Sequence, residues 1–205
     1  MTQGRLFLVL AGVLAVAFFW SAIAPHDRFT WWLEVSPVLI ALPILLLTYR
    51  AFHFSSIAYV LMLLHAVILL VGGHYTYAEM PLFSWLRDWN GWDRNYYDRL
   101  GHVAQGFVPA IIAREILLRT SPLRPGKWLF FLVVCVCLAI SACYELLEWW
   151  VALASGSDAV AFLATQGDIW DTQWDMFLAL LGAVAALLLL SSAHDRSMRK
   201  LGVEP

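Results

Sequence analysis

The chain has 205 residues, of which 61% are hydrophobic and 14% charged, against about 25% charged in soluble domains. That balance excludes a water-soluble globule and a basic surface for nucleic acid. The net charge of −2 becomes informative only once it is divided between the two sides of a membrane.

A bilayer crossing takes about 20 mostly apolar residues, and the chain parses into six such runs within one integral membrane domain over 1–205. The first, Leu6–Ala24, follows Arg5 and resembles a secretory signal, with Ala22-Ile23-Ala24 in the place of a cleavage site. Pro25 would directly follow the cut and the run is long, so it is read as a retained helix. The second, Val35–Tyr49, is short and holds Pro37 and Pro43, which neighbouring helices can accommodate. Phe54–Gly73, Leu100–Leu118, Trp128–Trp150 and Trp174–Ser192 follow. Cys135, Cys137 and Cys143 fall in one run, which rules out a disulfide framework and leaves small buried hydrophobes. Gly72, Gly73, Gly101, Gly106 and Gly182 allow close helix approach.

With the N-terminus inside, nine of the thirteen basic residues lie on the inner side, and twelve of the fifteen acids lie outside or at outer helix ends. Cytoplasmic loops are the basic ones, so the expected topology is all-α, with both ends in the cytoplasm of a bacterial inner membrane. Ten of the eleven tryptophans map near the outer boundary and only Trp128 near the inner one. Indole favours the headgroup zone, so His74–Asp98 and Val151–Gln173 are expected to lie as interfacial caps on the outer face.

Three stripes carry charge into the apolar region, where each charged group costs about 2.5–3.5 kcal/mol on insertion scales. Asp98, His102 and Gln105 share one face of the fourth helix. Ser141, Glu145 and Glu148 share one face of the fifth. Asp168, Asp171 or Thr172, and Asp175 line one face if the sixth helix starts early. A short basic loop makes helices four and five antiparallel neighbours, so the stripes can converge in one pocket below the outer surface. Crowded carboxylates have three resolutions: a divalent cation held by the oxygen-rich set, salt bridges from Arg94 and Arg99, or protonation suited to a relay. The metal candidates are Asp98, His102, Glu145, Glu148, Asp168, Asp171 and Asp175, and the catalytic candidates are Glu145, Glu148 and His102. Plainer roles compete. Asp171 or Thr172 can cap the sixth helix with Asp175 favoured by its dipole, Asp98 can pair with Arg94 or Arg99, and His102 can be a satisfied buried histidine. Glu145 and Glu148 have no basic residue nearby on their own helix and need an outside partner. His74 and Glu79 are placed within reach of the pocket, His65 in a packing role and His53 in solvent at the inner boundary.

Asn95-Tyr96-Tyr97-Asp98-Arg99-Leu100-Gly101-His102 with Gln105-Gly106-Phe107-Val108-Pro109, Tyr144-Glu145-Leu146-Leu147-Glu148-Trp149-Trp150, and Thr165 through Met176 make the sequence resemble the YjdF-like inner-membrane family over nearly its whole length. The resemblance implies a small multi-pass inner-membrane protein and brings no activity or cofactor with it. The last three spans are also similar, more distantly, to VanZ-like membrane proteins. That pattern matches Asp98 to His102, Glu145 or Glu148, and Asp168 or Asp171 to Gly182. The chain departs from it with Arg99 in place of lysine and Glu148 in place of glutamine.

Three functional expectations follow, the plainest being a structural partner in an envelope complex. Another is an enzyme acting on outer-leaflet lipids or lipid-linked wall precursors, with a metal to activate water or clamp a phosphate. The Asp168, Asp171, Asp175 spacing shares part of a phosphotransferase signature but lacks its Gly and Arg positions. The third is a non-catalytic protein that senses or binds a cation or moves protons, drawn by the negative outer face.

Overall fold

The computed structural model describes residues 3–156 and 160–204. Its described elements are helices α1 (Gln3–Ala22), α2 (Arg28–Thr48) and α3 (Ser56–Tyr75), a short 3₁₀ turn (Tyr77–Glu79), and helices α4 (Pro81–Asn90), α5 (Tyr97–Thr120), α6 (Lys127–Ser155), α7 (Val160–Leu163) and α8 (Asp171–Arg199). Five of them, α1, α2, α3, α6 and α8, are long and apolar enough to cross a membrane. The sixth expected span, α5, falls short on apolarity because Asp98, Arg99, Arg114, Glu115 and Arg119 all lie on it. Its 24 residues reach about 36 Å at 1.5 Å each, enough for a hydrocarbon core of about 30 Å. It runs parallel to α8, with Asp98 and Arg99 beside Asp175 at one end and Arg114 beside Asp195 at the other. α5 therefore spans the same depth, with most of its charged side chains turned inward.

The α5–α8 seam depends on the absence of side chains. A Cβ on Gly106 would run into the Ala179 carbonyl, and one on Gly182 into that of Val103. Small residues let helix backbones meet in this way where lipid supplies no hydrophobic drive. Gly72 and Gly101 play another part: the Tyr77 ring lies where their β-carbons would be.

α2 begins seven residues before the expected second span. Asp27 caps it, accepting from the Thr30 N–H at 2.6 Å, as cap residues do for the first free amides. Pro37 has no N–H to offer the Leu33 carbonyl, and the neighbouring Ser36 hydroxyl donates to that carbonyl at 2.7 Å. The end of α1 is tied down too: Trp31 Nε1 donates to Ser21 Oγ at 2.9 Å, and that hydroxyl donates to the Leu70 carbonyl at 2.6 Å.

α1 and α2 pack on α3, α3 on α5, and α6 on both α5 and α8. The main apolar core joins α3, α5, α6 and α8 around Leu61, Ile111, Val133 and Leu187. Phe7 of α1 meets Tyr49, His53 and Tyr59 edge-on, and Ser197 of α8 accepts from the Ile57 amide, so both termini share one end of the bundle. The basic bias makes that end cytoplasmic. His53 is not simply solvated there. It packs among those rings, and burial together with the Arg119 charge lowers its pKa below that of ordinary histidine.

At the opposite end, the 3₁₀ turn and α4 form the first cap, with Trp85 and Trp89 stacked and exposed. The second expected cap is shorter than its proposed limits, because α6 continues to Ser155; residues 157–159 of it lie outside the described residues. Nine of the ten outer tryptophans are exposed, and Trp31 alone among them is buried.

Candidate functional site

Asn95 holds the outer end together. Its side chain donates to the Met80 carbonyl and Ser84 hydroxyl, each at 3.0 Å, and accepts from the Tyr97 N–H. Its backbone forms a reciprocal pair with the Gln166 amide, both bonds at 2.9 Å. This junction fixes both caps to the start of α5 and so sets Arg94 and Arg99 against α8.

The two arginines are clamps. Arg94 reaches Asp171 at 2.7 Å and both Asp168 and Asp98 at 3.4 Å, and donates to the Ala164 carbonyl at 3.2 Å. Arg99 reaches Asp171 at 2.7 Å, Asp168 at 3.0 Å and also Asp175. Guanidinium forks suit such multiple carboxylate contacts. The salt-bridge resolution of the crowded acids is therefore present for the three aspartates around α8. α8 starts at Asp171, so Asp171 and Asp175 share its face, while Asp168 comes from the preceding turn and the Thr172 hydroxyl, though exposed, reaches the Glu145 carboxyl.

His102 sits one turn below Asp98. Its Nε2 lies 3.4 Å from Asp98 and 3.6 Å from Asp175; its Nδ1 is 3.1 Å from Gln105 Oε1 and 3.9 Å from Glu145 Oε1. All three stripes therefore converge, through His102, Asp175 and Glu145. Among the described residues, Asp98, His102 and Asp175 form the one set of potential metal ligands whose donor atoms all lie within 4.8 Å of one another. Glu145, with 7% of its side chain exposed, keeps Oε1 without a hydrogen-bond partner, as does Ser141 Oγ one turn away. Glu148 stands apart from that set on the wall of an adjacent cavity of about 230 Å³, which Glu34, His65, Tyr77, His102 and Tyr144 also line.

Two expected pocket residues are elsewhere. His74 bonds the Ser21 carbonyl at 3.1 Å beneath Trp20, and Glu79 pairs with His26 at 3.1 Å on the surface. The His74 ring is held by the end of α1, and the α1–α2 connection holds the His74 carbonyl and Glu79 through His26. His65 does line the cavity rather than only packing.

Glu34 was not singled out from sequence. Starting the second span at Val35 left it outside the bilayer, whereas α2 carries it inside, 5% exposed. A carboxylate within an apolar helix is itself the signal that identifies it. A second missed cluster lies at the cytoplasmic end. Glu115, fully buried, accepts from the Ser55 amide and hydroxyl at 2.9 and 2.7 Å, from Arg119 at 2.8 Å and from His194 Nε2 at 2.9 Å. Arg114 bonds His194 Nδ1 at 2.9 Å and forms an ion pair with Asp195 at 2.7 Å.

The sequence pattern that defines DUF2238, described as a predicted membrane protein, matches residues 6–196. The chain belongs to the DUF2238 family. It is similar to inner membrane protein YjdF of Escherichia coli (strain K12), 50% identical over 190 residues that cover 93% of this chain and 91% of that protein. No solved structure matches. Every residue of the outer site and of the Glu115 cluster falls inside the family match. A multi-pass helical protein of the bacterial inner membrane is thus established, while the VanZ-like likeness of the last three spans rests on the sequence pattern alone.

Proposed function

We propose that this DUF2238 protein binds a divalent metal ion at the extracytoplasmic end of the bundle, between Asp98, His102 and Asp175, and acts by binding that cation rather than by turning over a lipid-linked substrate. The spacing around His102 Nε2 carries the reading. At 3.4 and 3.6 Å from two carboxylate oxygens, it lies beyond the 2.7–3.2 Å of good N–H···O bonds. Those lengths suit the edge of a tetrahedron with metal–ligand bonds of about 2.1 Å. Gln105 Oε1 is placed to accept the Nδ1–H, the outer hydrogen bond that orients ligating histidines. Arg94 orients Asp98 through its other oxygen, whereas Arg99 donates to the same Asp175 oxygen that faces His102, so that oxygen would be shared with the metal. Glu145, with its unpartnered oxygen, stands next to the ring as a reserve acceptor.

The neighbouring cavity, about 230 Å³, is smaller than the 300–1,000 Å³ of sites that enclose drug-sized ligands. That favours a bound ion over a wall precursor. The enzyme reading, with Glu145, Glu148 and His102 as acid–base groups, lacks a seat for such a substrate.

Metal analysis of protein purified in mild detergent without chelator tests the reading. One equivalent of metal is expected in the wild type and in Glu148→Gln, and it is lost in Asp98→Asn and His102→Gln. Metal-free wild type, or equal metal in all four proteins, overturns it.

A further inference from the structure

The basic residues divide sharply between the two ends of the bundle. On the outer side every arginine is occupied: Arg28 donates to the Ala22 carbonyl, Arg87 pairs with Asp88, and Arg94 and Arg99 hold the aspartates. On the cytoplasmic side Arg114 pairs with Asp195 and Arg119 with Glu115. The other seven cations there are free. Arg5, Arg50, Arg124 and Lys127 are exposed, as are Arg196, Arg199 and Lys200, and among the described residues no acid pairs with any of them. The one exposed acid described at this end is Glu204, so the face carries uncompensated positive charge.

Helix dipoles do not account for the whole set. Arg196 and Arg199 suit the C-terminal turn of α8, but Arg5 and Lys127 lie in the first turns of α1 and α6. A cation is unfavourable there, and neither turn holds an acid to offset it.

Depth identifies the partner. Lys127 opens α6, Arg199 closes α8, and Arg50 follows the end of α2 by two residues. The connections at this end are residues 49–55 and 121–126, too short to raise a separate domain. Trp128, 72% exposed and edge-on to Phe131, marks the headgroup level beside Lys127. Cations held at that level around four helices face lipid phosphates, whereas a nucleic acid or an acidic protein needs a surface standing clear of the bilayer.

We propose that the cytoplasmic rim binds anionic phospholipids of the cytoplasmic leaflet. Their phosphates seat against Arg124 and Lys127 at the start of α6 and against Arg196, Arg199 and Lys200 at the end of α8, with acyl chains beside Trp128 and Phe131. This surface lies at the opposite end from the proposed metal centre and does not depend on it.

The test offers phosphatidylglycerol and phosphatidylcholine in equal amounts to full-length protein in mild detergent, and counts bound lipid by native mass spectrometry. Detergent removes membrane orientation from the comparison. Wild type should prefer phosphatidylglycerol. Its binding should weaken at least about fivefold in Arg124→Gln/Lys127→Gln and in Arg196→Gln/Arg199→Gln/Lys200→Gln. The outer variant Arg28→Gln/Arg87→Gln should bind as wild type does, and Arg196→Lys/Arg199→Lys, which keeps the charge, should retain the preference. Elution profile and thermal melting verify that each variant is folded. Equal binding of the two lipids by wild type overturns the proposal, as does a preference that the folded inner variants keep or that the outer variant loses as fully. Polyglutamate and an oligonucleotide are offered to protein in phosphatidylcholine nanodiscs as the alternatives. Stoichiometric binding of either, with no preference for phosphatidylglycerol, assigns the face to a soluble partner and overturns the proposal as well.

Discussion

The two ends of the α5–α8 pair are built from similar residues and solve opposite problems. At the cytoplasmic end Glu115 receives four hydrogen bonds, one for each acceptor site of a carboxylate. Arginine can only donate, so His194 Nδ1, which faces Arg114, is the ring's acceptor and Nε2–H is its donor to Glu115. The Arg119 guanidinium also covers the Phe52 ring at 3.8 Å. Such closure joins α3, α5 and α8 and leaves no capacity for a ligand. At the outer end two arginines serve Asp98, Asp168, Asp171 and Asp175, while among the described residues Glu34, Glu145 and Glu148 meet no arginine or lysine, and Glu145 Oε1 keeps no hydrogen bond. Buried charges alone do not mark a site; uneven satisfaction does.

The contrast can be broken by mutation. Glu115→Ala should have the largest effect, about 3–5 kcal/mol of stability, because it leaves buried donors and charges unpaired; a steep fall in melting temperature in detergent is expected, and a fall under one degree would show that the inner network is not a structural clasp. Gly106→Ala comes next, at about 1–3 kcal/mol for an overpacked contact. It strikes the seam both ends share, so it should lower the melting temperature and disturb the outer site together. Arg99→Gln should cost about 1–3 kcal/mol, less than Glu115→Ala, because Arg94 still reaches Asp168 and Asp171. A loss as large as that of Glu115→Ala would erase the distinction between the ends. Asp27→Ala, at neither cluster, should cost about 1 kcal/mol for a lost helix cap. The Thr30 N–H holds the Asp27 carboxyl below its usual pKa. A depressed folded-state pKa means stability that is present above the unfolded value and lost as pH falls through the folded one. The gap between wild type and Asp27→Ala should therefore close below about pH 4, read from melting curves across pH.

Much of this was legible in the sequence because apolar runs, basic loops and tryptophan placement each report depth independently. The convergence of Asp98, His102, Glu145 and Asp175 followed from helical spacing and a short α5–α6 connection, and the arginine clamps from simple charge balance. What escaped notice lay at span boundaries. Ending the sixth run at Ser192 put His194 in the cytosol, although α8 continues to Arg199 and buries it. Beginning the second at Val35 hid Glu34 in the same way. Hydropathy stops at the first polar residue, whereas a helix continues as long as its polar groups find partners across the bundle. Partners from distant segments, such as Ser55 for Glu115, have no signature in local spacing.

The bare-backbone contact at Gly106 and Gly182 has a mechanical consequence. With the Ala179 and Val103 carbonyls pressed against these two positions, any side chain added at either would force α5 and α8 apart. The 29 residues of α8 form a shaft of about 43 Å, and the pair works as a single strut.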